Sequence, residues 1–172
     1  MRNSSLSGAL LCLLVVPMLT SCVVPGPSTP PEAQVMQADA RALAYGRSAA
    51  EILENPQLRD KVRALFAADW APPTAGGVGK LSGAAPEYFE LGGPVRMVHV
   101  GDANYITVTG CVRQTCAARR GLLLIREGGE QLLARLDDGG FLHQYAYGSG
   151  LQPAAAAPVV DSALRALEGV SD

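Results

Sequence analysis

The fold of this chain is decided by residues 105–125, which read YITVTGCVRQTCAARRGLLLI. Residues 105–109 alternate with period two and include β-branched side chains, and an apolar run from Leu122 to Ile125 comes after a short cysteine-flanked segment. Alternation and short apolar runs of this kind are typical of β-strands. We therefore predict two neighbouring antiparallel strands, joined by a loop that contains Cys111 and Cys116.

Three more strands are predicted around this pair, because the same period continues on both sides. They cover residues 95–100, 131–136 and 141–147, and glycine-rich turns at 101–104, 128–129 and 138–140 separate the strands. Connections this short favour antiparallel neighbours. The sequence therefore predicts an antiparallel meander of about five strands.

Helices are predicted before and after the meander. Residues 35–53 are rich in alanine and leucine, and a second helix follows Asn55-Pro56, where asparagine can cap and proline can open a helix. In that helix Leu58, Val62, Leu65 and Phe66 fall on one stripe. Residues 159–168 form the terminal helix. The predicted class is α+β, with N-terminal helices and a C-terminal helix flanking the sheet.

Length and charge limit what the chain can be. It has 172 residues, 48% of them hydrophobic, and a formal net charge of −2. This length suits one domain, and the apolar content is enough for a core of ordinary size. No basic run exceeds the pair Arg119-Arg120. Because binding to phosphates requires a clustered basic face, we expect no nucleic-acid partner.

The N-terminal segment has the form of an export signal. Residues 1–21 contain Arg2 followed by an apolar run too short to span a bilayer. Leu19-Thr20-Ser21-Cys22 resembles the lipobox of bacterial lipoproteins, which implies lipidation of Cys22; an ordinary signal peptide with a chance cysteine is the alternative. In lipoproteins that stay at the inner membrane, an aspartate commonly follows the lipidated cysteine. Val23 stands at that position here, so the resemblance implies the periplasmic face of the outer membrane in a Gram-negative bacterium. Residues 22–33 then form a proline-rich tether, and residues 34–172 a single domain.

Only two cysteines remain for the exported domain, since Cys12 lies in the signal and Cys22 is the predicted lipid carrier. In an oxidising compartment Cys111 and Cys116 are expected to form a disulfide. Zinc is the competing use of these sulfurs, but it would require both histidines, and their spacing matches no zinc-finger pattern. We therefore expect a disulfide, no metal site and no cofactor.

Residues 98–105, the Cys111–Cys116 loop and residues 121–125 together resemble the Ivy family, periplasmic inhibitors of vertebrate lysozyme. The members share a strand, a Gly-Asp turn, a tyrosine-bearing strand, a loop with four residues between its cysteines and a following apolar strand. The upstream helix ending near Trp70 and Pro72 is similar too, so the resemblance covers about residues 56–137. It implies that the disulfide loop enters the cleft of the target enzyme and obstructs it.

The inhibitory loop diverges from the family pattern. The family's Lys-Pro-His-Asp is replaced by Val112, Arg113, Gln114 and Thr115. Gln114 stands in the position of the histidine that engages the two catalytic carboxylates, and it still donates two N–H bonds without carrying charge. Arg113 can supply positive charge and pair with a carboxylate; a solvated surface arginine is the alternative.

The leading hypothesis is therefore a lipid-anchored inhibitor of a lysozyme or a lytic transglycosylase. An immunity protein against a hydrolase delivered by a rival bacterium, or a structural envelope lipoprotein, are the alternatives. We expect no enzymatic activity, because acids such as Glu127, Glu130, Asp137 and Asp138 lie beside turns, where carboxylates are usually solvated. The resemblance also allows a homodimer.

Overall fold

The computed structural model describes residues 30–74, 79–126 and 128–170. The predicted signal segment, residues 1–21, and the predicted lipid carrier Cys22 lie outside the described residues. In this part of the chain the fold is α+β, with helices on both faces of an antiparallel sheet. The predicted fold class is confirmed.

The sheet has seven strands in the described residues, two more than predicted. They are β1 (Ala33–Gln37), β2 (Leu91–Gly92), β3 (Arg96–Val100), β4 (Ala103–Cys111), β5 (Arg119–Arg126), β6 (Leu132–Asp138) and β7 (Phe141–Tyr147). Strands β3 to β7 follow one another across the sheet as the predicted meander, β1 pairs with β3 at one edge, and β2 pairs with the end of β4.

Helices frame this sheet at both ends of the sequence. They are α1 (Ala40–Leu43), α2 (Ala49–Leu53), α3 (Arg59–Phe66) and α4 (Pro153–Glu168), with 3₁₀ helices at Ala67–Trp70 and Ala85–Phe89. The predicted start of the second helix was wrong: α3 begins at Arg59, and its N-cap Leu58 makes no side-chain hydrogen bond to the helix. The Asn55 side chain accepts a hydrogen bond from Gln57 N at 2.8 Å, within the turn before α3.

Alternation along each strand divides the interior into two cores. In β4, Ile106 and Val108 face α2, α3 and the second 3₁₀ helix, whereas Ala103 and Tyr105 face α4. Because successive side chains point to opposite faces, a sheet covered on both sides needs apolar residues at nearly every position. This accounts for the continuous apolar run 122–125 of β5, all of which is buried.

The N-terminal prediction was wrong in two respects. Residues 35–37 belong to β1 rather than to a helix, and β1 begins at Ala33, inside the predicted tether. Its alanine and glutamine residues favour helices by intrinsic propensity, but pairing with β3 overrides that preference. The predicted helix of residues 35–53 is instead two short helices, α1 and α2, each capped by a side chain, Asp39 and Ser48.

The C-terminal helix is longer than predicted. It starts at Pro153 rather than at residue 159, and it contains Pro158. Pro153 is well tolerated at the first position, because the first N–H groups of a helix have no partner within it. Pro158 lies inside the helix, where its missing N–H leaves the carbonyl of Ala154 without the usual donor. Ala156, Val160 and Ala163 of α4 are buried against the second face of the sheet.

The point where the chain enters the sheet and the cysteine-flanked loop lie at opposite ends of β4. The chain enters the domain at Ala33, which lies opposite Val100, and Val100 lies opposite Ala103 at the start of β4. Strand β4 then runs to Cys111, which is paired with Arg120. The cysteine-flanked loop therefore lies at the opposite end of β4 from the row where the chain enters.

Candidate functional site

The predicted disulfide is present and closes the loop between β4 and β5. Cys111 and Cys116 are bonded, with their Cα atoms 4.8 Å apart. Within the loop Thr115 N donates to Val112 O at 3.0 Å, and Ala118 N and Arg119 N both donate to Thr115 O. The loop is therefore a hydrogen-bonded turn as well as a covalent ring.

Its residues divide between the interior and the solvent. Val112 is half-buried and packs against the first core, and its N–H donates to Arg119 O at 3.0 Å. Arg113, Gln114 and Thr115 are exposed. The surface offered to a partner therefore consists of three of the four residues between the cysteines, while Val112 anchors the loop.

Removing the disulfide gives a direct test of its contribution to stability. Closing a loop of this length reduces the entropy of the unfolded chain, so the variant Cys111→Ala/Cys116→Ala should lose about 2 kcal/mol of unfolding free energy. Urea denaturation of the oxidised protein and the variant measures this difference. A loss below about 0.5 kcal/mol would contradict a contribution of the bridge through the entropy of the unfolded chain.

Arg113 is held by a neighbour that the sequence reasoning missed. Its Nε donates to Glu90 Oε1 at 3.0 Å, and its backbone N–H donates to Glu90 Oε2 at 3.4 Å. These hydrogen bonds and the nearby guanidinium charge lower the pKa of Glu90. Glu90 follows the 3₁₀ helix Ala85–Phe89, so the ion pair joins the loop to a separate part of the chain. Arg113 is thus a braced side chain rather than a free one.

Gln114 forms the apex of the loop. Its φ of +68° lies in the left-handed region, which few residues other than glycine adopt. Its side-chain amide makes no hydrogen bond with any of the described residues. Two N–H donors and a carbonyl acceptor are therefore available to a partner at this point.

A partly buried charge network, with Asp138 and Tyr88 buried, supports the base of the disulfide loop. Arg119, the first residue of β5, donates from Nε to Asp138 Oδ1 at 3.2 Å and from a terminal nitrogen to Tyr88 OH at 3.2 Å. Its guanidinium also lies over the Tyr88 ring, 4.9 Å from the centroid. Asp138 further accepts hydrogen bonds from Ser82 N at 2.7 Å and Ser82 Oγ at 2.6 Å. The network ties β5, β6 and the loop before the second 3₁₀ helix together.

The electrostatics of this network favour the charged forms of the pair. Burial by itself would raise the pKa of Asp138, but the hydrogen bonds from Ser82 and Tyr88 and the charge of Arg119 lower it overall. The hydrogen bond with Tyr88 is the largest cause of a raised pKa for Arg119. Burial raises the pKa of Tyr88 itself, so its hydroxyl stays protonated.

A second buried carboxylate, that of Asp69, holds residues 80 and 81 of the loop before the second 3₁₀ helix. Asp69 Oδ1 accepts hydrogen bonds from the N–H groups of Lys80 and Leu81, and Asp69 Oδ2 accepts one from Tyr145 OH at 3.0 Å. Burial, followed by the charge of Asp69, raises the pKa of Tyr145 well above its usual range. Residues 80–82 are therefore held by two aspartates: Asp69 binds Lys80 and Leu81, and Asp138 binds Ser82.

Most of the acids that were predicted to be solvated are buried or form ion pairs. Asp138 is only 8% exposed, and Asp137 pairs with Arg135 at 3.0 Å. Both belong to β6 rather than to a turn, so the expectation of solvated turn acids was wrong for them. Glu130 is exposed and lies 3.5 Å from Lys61 Nζ. Glu127 lies outside the described residues.

The two histidines lie apart from the loop. His99 Nδ1 is 2.8 Å from Asn104 Oδ1, its partner across β3 and β4. His143 lies in β7 opposite Leu136, and its Nε2 is buried without a hydrogen-bond partner among the described residues. Across residues 30–74, 79–126 and 128–170, no group of three or more histidine, cysteine or acidic side chains is arranged to hold a metal ion.

An exposed aromatic residue adjoins the loop and was also missed. Gly139 N donates to Ala118 O at 3.0 Å, so the β6–β7 turn touches the chain just after Cys116. Phe141 follows that turn and is 74% exposed. The sequence carried no signal of this exposure, because Phe141 begins the predicted strand 141–147 and aromatic residues are common in strands.

Comparison with known proteins does not assign a function to this chain. No protein-family model, curated protein or solved structure matches this chain. Among the helices of the described segments, none is both long and apolar enough to cross a bilayer.

Proposed function

We propose that this protein is an inhibitor that blocks the cleft of a lysozyme-like, peptidoglycan-cleaving enzyme with its disulfide loop. The observation that carries the proposal is the exposed, closed turn formed by Arg113, Gln114 and Thr115 at one end of the sheet. A loop that is already ordered loses little conformational entropy on binding. Its resemblance to the Ivy loop in spacing and flanking strands supports the choice of target.

Gln114 is the residue that contacts the target carboxylates in this proposal. Glycoside hydrolases act through two carboxyl groups placed on either side of the scissile bond. The Gln114 amide is exposed at the apex and can donate hydrogen bonds to a carboxylate. Because Arg113 is already paired with Glu90, its role is to position the loop rather than to supply a free charge.

The same proposal places the protein on the periplasmic face of the outer membrane through lipid on Cys22. Leu19-Thr20-Ser21-Cys22 and the prolines that follow support this location. The role assigned is binding and not catalysis, and the partner is a lysozyme or a lytic transglycosylase. An immunity role against a delivered hydrolase would use the same loop and the same contacts.

Inhibition of peptidoglycan clearing by a c-type lysozyme tests the proposal. We expect the full-length protein, in a mild non-ionic detergent, to inhibit at sub-micromolar concentration and the Cys111→Ser/Cys116→Ser variant to inhibit at least ~10-fold less well. Circular dichroism shows whether the variant is folded. The assay is repeated with a lytic transglycosylase and with a secreted bacterial muramidase. Failure to inhibit any of the three at roughly 50 μM would overturn the proposed function.

A further inference from the structure

A cavity lies between the C-terminal turn of α4 and the second face of the sheet. Its volume is about 210 Å³. It forms because α4 ends at Glu168 and leaves the ends of β4, β5 and β6 nearest the disulfide loop uncovered. Leu122, Leu164 and Leu167 supply apolar walls, and the paired strands at Gly110 and Gly121 add backbone to the lining. A space of this size holds a molecule no larger than an amino acid or a short peptide.

The lining carries charges of both signs. Arg96, Arg120 and Arg135 contribute guanidinium groups, and Asp137 and Glu168 contribute carboxylates. The C-terminal end of α4 also borders the cavity, and there Arg165 O and Leu167 O already accept hydrogen bonds from Gly169 N and Val170 N. Neither a simple anion nor a simple cation would therefore be favoured over the whole cavity.

Arg120 and Arg135 differ in how closely their guanidinium groups approach neighbouring carboxylates. Arg135 donates to Asp137 at 3.0 Å and to Asp161 at 2.9 Å, both at normal hydrogen-bond distance. Arg120 lies 3.5 Å from Asp137 and 3.6 Å from Glu168, and its side chain is 49% exposed. These contacts are longer than the 2.7–2.9 Å typical of charge-assisted hydrogen bonds. Arg120 therefore retains donors that a ligand carboxylate can use.

We propose that this cavity binds a small zwitterion of the amino-acid or dipeptide class. The ligand inserts between Arg120 and Glu168 and replaces their 3.6 Å contact. Its carboxylate pairs with Arg120, its ammonium group is held by Glu168, and its side chain contacts Leu164 and Leu167. The inference does not depend on the proposed inhibitory function, because it uses none of the residues between Cys111 and Cys116.

Calorimetric titration of the full-length protein with L-alanyl-L-alanine tests the proposal. Two derivatives separate the charges: the N-acetyl dipeptide lacks the ammonium group, and the dipeptide amide lacks the carboxylate. We expect the zwitterion to bind and each derivative to bind at least ~10-fold more weakly. Equal binding of the zwitterion and either derivative would overturn the proposal, as would no binding of the zwitterion up to roughly 10 mM.

Variants locate the site. Arg120→Met should weaken binding at least ~10-fold, and Leu164→Trp should abolish it by filling the cavity. The matched control is Arg126→Met, which changes the same residue type at the other end of β5. Amide NMR spectra of the whole domain show whether each variant is folded. Unchanged affinity in Leu164→Trp, or an equal loss in Arg126→Met, would overturn the assignment to this cavity.

Discussion

Replacing Asp138 with alanine should remove about 3 kcal/mol of unfolding free energy. The substitution leaves Arg119, whose side chain is only 20% exposed, without its closest carboxylate, and it leaves Ser82 N and Oγ without an acceptor. Breaking a buried ion pair by removing one partner typically costs ~3–5 kcal/mol, and the partial exposure of Arg119 places this case at the lower end. Urea denaturation, followed by circular dichroism, measures the change.

Asp60→Ala is the matched control for this prediction. Asp60 also lies beside an arginine, 3.7 Å from Arg59, but its side chain is 84% exposed. An exposed pair contributes little, so the control should lose less than about 1 kcal/mol. Equal losses in the two variants would show that burial of Asp138 does not determine its contribution.

The lowered pKa of Asp138 also predicts how stability depends on pH. Because the folded-state pKa lies below the unfolded value, the stabilisation is present above the unfolded pKa, near 3.8, and is lost as the pH falls through the folded value. Between about pH 5 and pH 2, the wild type should therefore lose more stability than Asp138→Asn does. Parallel losses would contradict the assignment of this dependence to Asp138.

The second large effect concerns the loop. The double variant Arg113→Ala/Gln114→Ala should inhibit the target enzyme more than ~10-fold less well than the wild type. Gln114→Ala removes the donor at the apex, and Arg113→Ala releases the brace to Glu90. Inhibition constants from the peptidoglycan-clearing assay give the comparison, and thermal unfolding shows whether the fold is retained.

Arg126→Ala/Gln131→Ala provides the same pair of substitutions elsewhere on the molecule. Arg126 donates to Gln131 at 2.8 Å on the exposed surface, at the end of β5 remote from the disulfide. This control should inhibit as well as the wild type. A single Glu90→Ala substitution then separates the two roles of Arg113. If Arg113 acts as a brace, Glu90→Ala reproduces the loss caused by Arg113→Ala; if Arg113 contacts the target itself, Glu90→Ala retains inhibition.

The meander and its loop could be predicted because their signals are local. Period-two alternation, glycine turns and the spacing of Cys111 and Cys116 all lie within short windows of sequence. Strand β1 was missed because its signal is not local. It forms by pairing with residues 59 to 67 positions away, from Gln37 with Arg96 to Ala33 with Val100, and alanine and glutamine alone favour a helix.

The support of the loop was equally hidden from the sequence. Asp138 is buried, and Ser82, 56 positions earlier, supplies hydrogen bonds that offset the cost of burying its carboxylate. Arg113 is braced by Glu90, 23 positions earlier. Single-residue chemistry indicated which groups were charged, but only the folded chain brings their partners together. This explains why Arg113 was expected to contact a target directly, whereas in the structure its guanidinium is paired within the molecule.

The course of β4 also fixes where the disulfide loop lies relative to the strand β1, at which the described part of the chain enters the sheet. The chain enters the sheet at the row of Ala33, Val100 and Ala103, and Cys111 lies eight residues further along β4, or ~27 Å away at the rise of an extended strand. A domain attached to a bilayer through its N-terminal segment would therefore carry its disulfide loop on the far side, directed away from the lipid. An enzyme working on the cell-wall layer would then meet the loop first.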